Sequence, residues 1–237
     1  MTADPKAGSD LRAALRELYS DRAFVPRVYR DRGGQAYPGI VLIERSIARL
    51  APELGGEMLD VGCGQQPYAS YFKNVARQRA CDFDASRGDV DFACPAHDIP
   101  LPAAALDSIL CTEVLEHVPD PRAVWHEFAR VLKPGGKVLL TAPMYWPSHE
   151  EPHDFFRHTR FGLQRMAEDA GFEVVKLYPR GGVWAFLAQA LQHSIPQYLR
   201  FRWQRVLVNR LFLRLDRWRC NPGVTIGWTM LAQKRSA

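Results

Sequence analysis

The chain has 237 residues, 47% of them hydrophobic and 24% charged, and carries a formal net charge of +5; this is a globular composition that suits one packed domain with additions. Five separated cysteines without a Cys-x-x-Cys pair exclude a disulfide framework and fit reduced thiols. No apolar run reaches the roughly 18 residues of a membrane span, and the opening residues lack the basic-then-apolar order of a secretory leader, so a cytoplasmic protein is expected.

In chain order, Leu11 to Ser20 and Ile40 to Leu50 read as helices separated by the Arg32-Gly33-Gly34 break, a helical preface over residues 1–55. From Glu57 short apolar runs alternate with helical segments, the pattern of a parallel sheet with crossover helices. Strands are predicted over Glu57–Val61, Arg79–Asp82, Asp107–Cys111, Lys137–Thr141 and Phe172–Tyr178, with a last strand in Val224–Gln233. Pro121–Leu132 reads as a helix: Asp120 can cap it, Pro121 suits its first position, and Val124, Phe128 and Val131 share a face before Lys133-Pro134-Gly135-Gly136 stops it. Residues 56–237 are thus expected to form one α/β doubly wound domain, with one or two helices inserted at about 182–221 before the last strand. In such a sheet ligands bind beyond the carboxyl ends of the strands, which singles out the loop after Val61.

That loop reads Asp60-Val61-Gly62-Cys63-Gly64-Gln65-Gln66-Pro67. Glycines after a first strand let the backbone approach a ligand and present N–H groups to it. A dinucleotide fingerprint needs a third glycine where Pro67 stands. Asp60 at the strand end instead suits a ligand with an ammonium-bearing tail.

Asp60-Val61-Gly62-Cys63-Gly64, Ala80-Cys81-Asp82-Phe83-Asp84, Asp98-Ile99-Pro100-Leu101-Pro102, Asp107 to Val118 and Arg130 to Gly136 follow one another as the ordered motifs of class I S-adenosylmethionine-dependent methyltransferases do. The resemblance covers about residues 57–180 and the last strand. It implies a Rossmann-like, mostly parallel seven-stranded sheet with flanking helices, and S-adenosylmethionine as cofactor. By the same resemblance, Asp60, Gly62 and Gly64 would lie along the methionine part of the cofactor, and Asp82 would accept from the ribose hydroxyls, with Asp84 as a second candidate. Phe83 and Ile99 would sandwich the adenine, Asp98 would accept from its amine, and Thr112 and Glu113 would border the sulfonium.

After the fifth strand, His149-Glu150-Glu151-Pro152-His153 spells the letters of a zinc-protease signature. Pro152 is incompatible with the continuous helix that signature needs, so no metal is assigned there. A loop at a strand's carboxyl end, rich in His, acid and aromatic groups, is instead a candidate acceptor site. His149 and His153 are candidates for the base that takes a proton from a hydroxyl acceptor. Residues 149–159 resemble a methyltransferase subgroup associated with sugar and cell-envelope genes. Glu113, Glu116 and His117 also resemble a cation-holding motif of quinone-biosynthetic methyltransferases, a lesser reading beside one in which His117 only packs.

Seven arginines between Arg200 and Arg219 face a single acid, Asp216, and are interleaved with Leu and Trp. The apolar stripe Leu199, Trp203, Leu207, Leu211 and Leu215 is broken by Arg210, Arg214 and Arg217, so the stretch reads first as a cap with snorkelling arginines. Peripheral membrane contact through 197–220 is the other candidate, and nucleic acid is not expected. The expectation is therefore methyl transfer, to oxygen ahead of nitrogen or carbon, on a small molecule, sugar or lipid-linked intermediate. The alternatives are an NAD-dependent oxidoreductase and a non-catalytic cofactor-binding or membrane-adaptor module.

Overall fold

Strands form where the apolar runs fall: β1 (Gly56–Val61), β2 (Val75–Asp82), β3 (Phe92–Ala93), β4 (Leu106–Thr112), β5 (Leu132–Pro143), β6 (Phe172–Pro179) and β7 (Gly227–Lys234). They make one sheet in the order β3-β2-β1-β4-β5-β7-β6, parallel except for β7, which runs antiparallel between β5 and β6. The helices are α1 (Pro5–Leu18), α2 (Tyr37–Leu50), α3 (Pro121–Val131), α4 (Arg160–Asp169), α5 (Val183–Ser194) and α6 (Arg202–Arg219). The computed structural model describes residues 5–194, 201–219 and 221–236, so Leu199, Arg200 and Cys220 of the arginine-rich stretch lie outside the described residues.

The pleat explains why the central strands read as unbroken apolar runs. Leu59, Ile109, Val138 and Leu140 point into one core with Trp125, Phe128 and Phe172 of the α3 and α4 side. Their neighbours Met58, Leu110, Leu139 and Leu231 point to the opposite face, against Leu15, Leu42, Ile47 and Leu50 of α1 and α2. Both faces being covered, alternation with polar residues disappears. Helix α3 begins as its sequence suggests, with Asp120 Oδ1 accepting from the amides of Arg122 (3.0 Å) and Ala123 (3.3 Å).

The N-terminal helices are bound into the fold by a buried carboxylate. Glu44 of α2 is fully buried and accepts from the amides of Arg27, Val28 (2.9 Å) and Tyr29, and from the Tyr71 hydroxyl (2.6 Å), which joins the first loop to the connection after β1.

Two differences from expectation have simple causes. The strand expected to start at Arg79 starts at Val75, because its first half is exposed and charged and carries no apolar signal. The seventh strand, β3, has only two residues, paired to Cys81 and Asp82. Among the described residues no helix is long and apolar enough to cross a membrane.

Candidate active site

The register sets Asp60 opposite Ala80 of β2 and Leu110 of β4, so Asp60, Asp82 and Thr112 stand at the carboxyl edge of three adjacent parallel strands. Beyond β1 the chain turns sharply. The amides of Gly62 (2.9 Å) and Cys63 (3.1 Å) both donate to the Cys81 carbonyl, and Gly62 and Gly64 adopt φ of +64° and +49°. A side chain at Gly62 would collide with Val114 at 2.3 Å, whereas one at Gly64 would meet nothing within 4 Å. The turn is therefore packed on its inner side and open above Gly64. Asp82 shapes it, taking the Gly64 amide on Oδ2 (2.9 Å) and the Asp84 amide on Oδ1 (3.0 Å). Asp84 is turned to Ser86 and Arg87.

Asp60 is the unusual member of this edge. It is buried, its Oδ1 has no hydrogen-bond partner, and burial, with Asp82 adding its charge, pushes its carboxyl up to about 8. A buried, unpartnered carboxyl beside an open turn fits a cationic ligand group. Ile99 is buried with its amide donating to Glu127 (2.7 Å), while Phe83 and Asp98 are exposed, Phe83 by 81%.

Glu113 lies just past β4 with φ of +53°, its amide on the Thr141 carbonyl. Its carboxylate accepts from Thr141 Oγ1 (2.7 Å) and pairs with both terminal nitrogens of Arg180 (3.0 and 3.1 Å). Arg180, which follows β6, is 1% exposed. Sequence reasoning missed it, because nothing local marks a partner 67 positions away.

The loop after β5 makes a second cluster. Arg157 locks it, donating to the carbonyls of Trp146 (3.0 Å) and Pro147 (3.1 Å) and to both oxygens of Asp154 (2.6 and 2.8 Å). That guanidinium holds the Asp154 carboxyl far below the usual range. Asp154 in turn accepts the His149 amide (3.1 Å) and lies 3.5 Å from its Nδ1, which is 3.2 Å from the Pro147 carbonyl. A carbonyl can only accept, so the Nδ1 in this contact is the donor. His117 does likewise, with Nδ1 on the His153 carbonyl (2.6 Å), and its ring meets that of His149 edge-on at 4.7 Å. Glu116 completes the group. It is fully buried, neither carboxyl oxygen has a hydrogen-bond partner, and burial with nearby Glu113 pushes it well above the carboxylate range. Ligand atoms of Glu116, His117 and His149 all lie within 4.8 Å of one another.

The structure thus brings His149 together with Glu116 and His117, not with His153, whose exposed ring joins the group only through its backbone carbonyl. His149 and His153 share no helical turn. Arg87 of the loop after β2 pairs with Glu150 of the loop after β5 (3.2 Å), both side chains about half exposed.

A family model described as a methyltransferase domain matches residues 38–177. The chain belongs to the class I S-adenosylmethionine-dependent methyltransferase family. Among the chain's relatives is a probable S-adenosylmethionine-dependent methyltransferase of Mycolicibacterium smegmatis, 35% identical over 144 residues that make up 53% of this chain and 56% of the relative. Another is a ubiquinone biosynthesis O-methyltransferase of Idiomarina loihiensis, 33% identical over 37% of this chain and 42% of the relative. The chain thus spans about half the length of these curated relatives. Of solved structures, the cyclase SpnF matches at 19% identity and a TM-score of 0.56, covering 98% of this chain and 96% of its own. The Burkholderia thailandensis 1,6-didemethyltoxoflavin-N1-methyltransferase, solved with S-adenosylhomocysteine, matches at 17% identity and a TM-score of 0.52, covering 100% of this chain and 92% of its own. At such identities these two show the fold alone.

Proposed function

We propose that this methyltransferase transfers the methyl group of S-adenosylmethionine to an oxygen of a small molecule, sugar or lipid-linked intermediate. The observation that carries the donor half is Asp60, a buried carboxyl lacking a partner on Oδ1 beside the open Gly64 turn. When bound, the cofactor supplies a methyl group activated on a sulfonium. Asp60 holds the ammonium of its amino-acid tail, Asp82 shapes the turn and takes the ribose hydroxyls, and Ile99 walls the adenine side with Phe83 and Asp98. Thr112 and Glu113 border the sulfonium, where the Arg180 partner keeps the Glu113 carboxylate fixed.

Oxygen is favoured as acceptor because the second cluster is built to take a proton. His149 receives it on Nε2, while Pro147 and Asp154 hold the ring through Nδ1. The names of relatives agree, including ubiquinone biosynthesis and malonyl-[acyl-carrier protein] O-methyltransferases. A second reading of the cluster, a divalent cation on Glu116, His117 and His149, is favoured by the unpartnered oxygens of Glu116. Turnover that a chelator abolishes and manganese restores would select it.

Calorimetric titration tests the donor half. S-adenosylmethionine and S-adenosylhomocysteine bind and NAD does not, and Asp82→Ala weakens both by about tenfold, the loss of a charge-assisted hydrogen bond. Binding of NAD alone would overturn the assignment. In an acceptor screen, His149→Ala lowers kcat about a hundredfold with cofactor affinity unchanged. Unchanged turnover would remove His149 from the mechanism.

A further inference from the structure

Helix α6 is anchored inward by polar groups beside Phe212 and Leu213: buried Asp216 accepts from the amides of Gly182 (2.8 Å), Trp184 (3.1 Å) and Ala185 (3.2 Å) at the start of α5 and from the Tyr19 hydroxyl (2.7 Å). Buried Asn209 accepts from Gln192 (3.0 Å) and donates to the Arg32 carbonyl (2.9 Å). These bonds fix which side of the helix faces the protein. The outward arc consists of Arg217, Arg210, Trp203, Arg214, Leu207, Trp218 and Leu211, all exposed. At 100° per residue they fall within about 120° of one another.

Three properties of that arc define a partner. The four apolar side chains are between 50% and 70% exposed, so they are not part of any core. Three arginines are interleaved with them, and the helix's one acid, Asp216, is on the buried side. Tryptophans stand near both ends of a helix about 27 Å long. Large apolar groups that want to leave water, cations among them and terminal indoles together match the boundary between acyl chains and anionic headgroups. A second copy of the chain fits poorly, since like faces would oppose arginine to arginine.

We infer that α6 docks this protein peripherally on an anionic lipid surface, with Trp203, Leu207, Leu211 and Trp218 inserted and Arg210, Arg214 and Arg217 on the headgroups. The inference goes beyond methyl transfer and does not depend on it.

Co-sedimentation with vesicles of phosphatidylcholine, alone or mixed with phosphatidylglycerol, tests it, and S-adenosylhomocysteine titration of every variant reports separately on the cofactor site. The protein binds the mixed vesicles and not the neutral ones, and its tryptophan fluorescence shifts to the blue. Arg210→Gln weakens the binding about fivefold, the share of one cation near a charged surface. Trp203→Ala with Leu207→Ala abolishes the blue shift. No binding to either vesicle by the natural protein overturns the inference, as does equal binding to neutral vesicles. A dimer in solution that Arg210→Glu dissolves would also overturn it, by assigning the arc to a second copy.

Discussion

Glu113→Ala destabilises the protein by about 3–5 kcal/mol, because it strands a buried guanidinium. Arg180 is 1% exposed and depends on Glu113 for its paired contacts at 3.0 and 3.1 Å. The Glu113 side chain itself is 29% exposed, so most of the loss comes from the arginine rather than the acid. Urea unfolding measures it, and replacing Arg180 by Met in the same background recovers much of the stability, since an apolar pair need not be solvated. A Glu113→Ala protein as stable as the natural one would show that water reaches Arg180. Because the pair joins the end of β4 to the end of β6, its loss also displaces Thr112 and, at the proposed donor site, lowers cofactor affinity.

Asp60→Asn weakens S-adenosylmethionine binding by at least about a hundredfold, the cost of removing one member of a buried charge pair. Its effect on the ligand-free protein has the opposite sign. Burial holds the Asp60 carboxyl up to about 8, above the ordinary value for an aspartate. Between about pH 4 and 8 the folded protein therefore keeps a proton that the unfolded chain has released. The stability Asp60 contributes is complete below about pH 4 and is lost as pH rises through 8, at up to about 1.4 kcal/mol per unit. Asparagine has no such slope, so the thermal midpoint of the variant gains on that of the natural protein from pH 5 to pH 8. An ammonium brought to Asp60 favours the ionised form, so binding releases a proton and tightens as pH rises towards 8. Calorimetry in two buffers of different ionisation enthalpy counts that proton. Equal affinity in the variant, or no proton release, would take Asp60 out of the cofactor site.

The strands and the turn at the end of β1, where the donor is proposed to bind, were legible because both are local. Asp60, Gly62, Gly64 and Asp82 sit at strand ends, where order along the chain is order in space, and the apolar runs of β1, β4 and β5 are buried on both faces. What was not legible depends on distant partners. Glu113, read with Glu116 and His117 as one motif, is turned away to Arg180, and the two residues that remain join His149, 32 positions beyond His117. Asp154 and Arg157, which hold His149, are ordinary loop letters until the loop is folded. The irregular stripe of α6 had a physical cause as well: inward positions are shared between apolar groups such as Leu213 and polar anchors, Asp216 at the start of α5 and Asn209 on Gln192 and the Arg32 carbonyl.

The pair formed by Arg87 and Glu150 ties two loops together and adds little to stability. It joins the loops after β2 and β5, strands separated by β1 and β4 and therefore about 14 Å apart, so it crosses above the open Gly64 turn. Both side chains are about half exposed, and such a pair contributes at most about 1 kcal/mol. A link that weak can open without any strand of the sheet having to move.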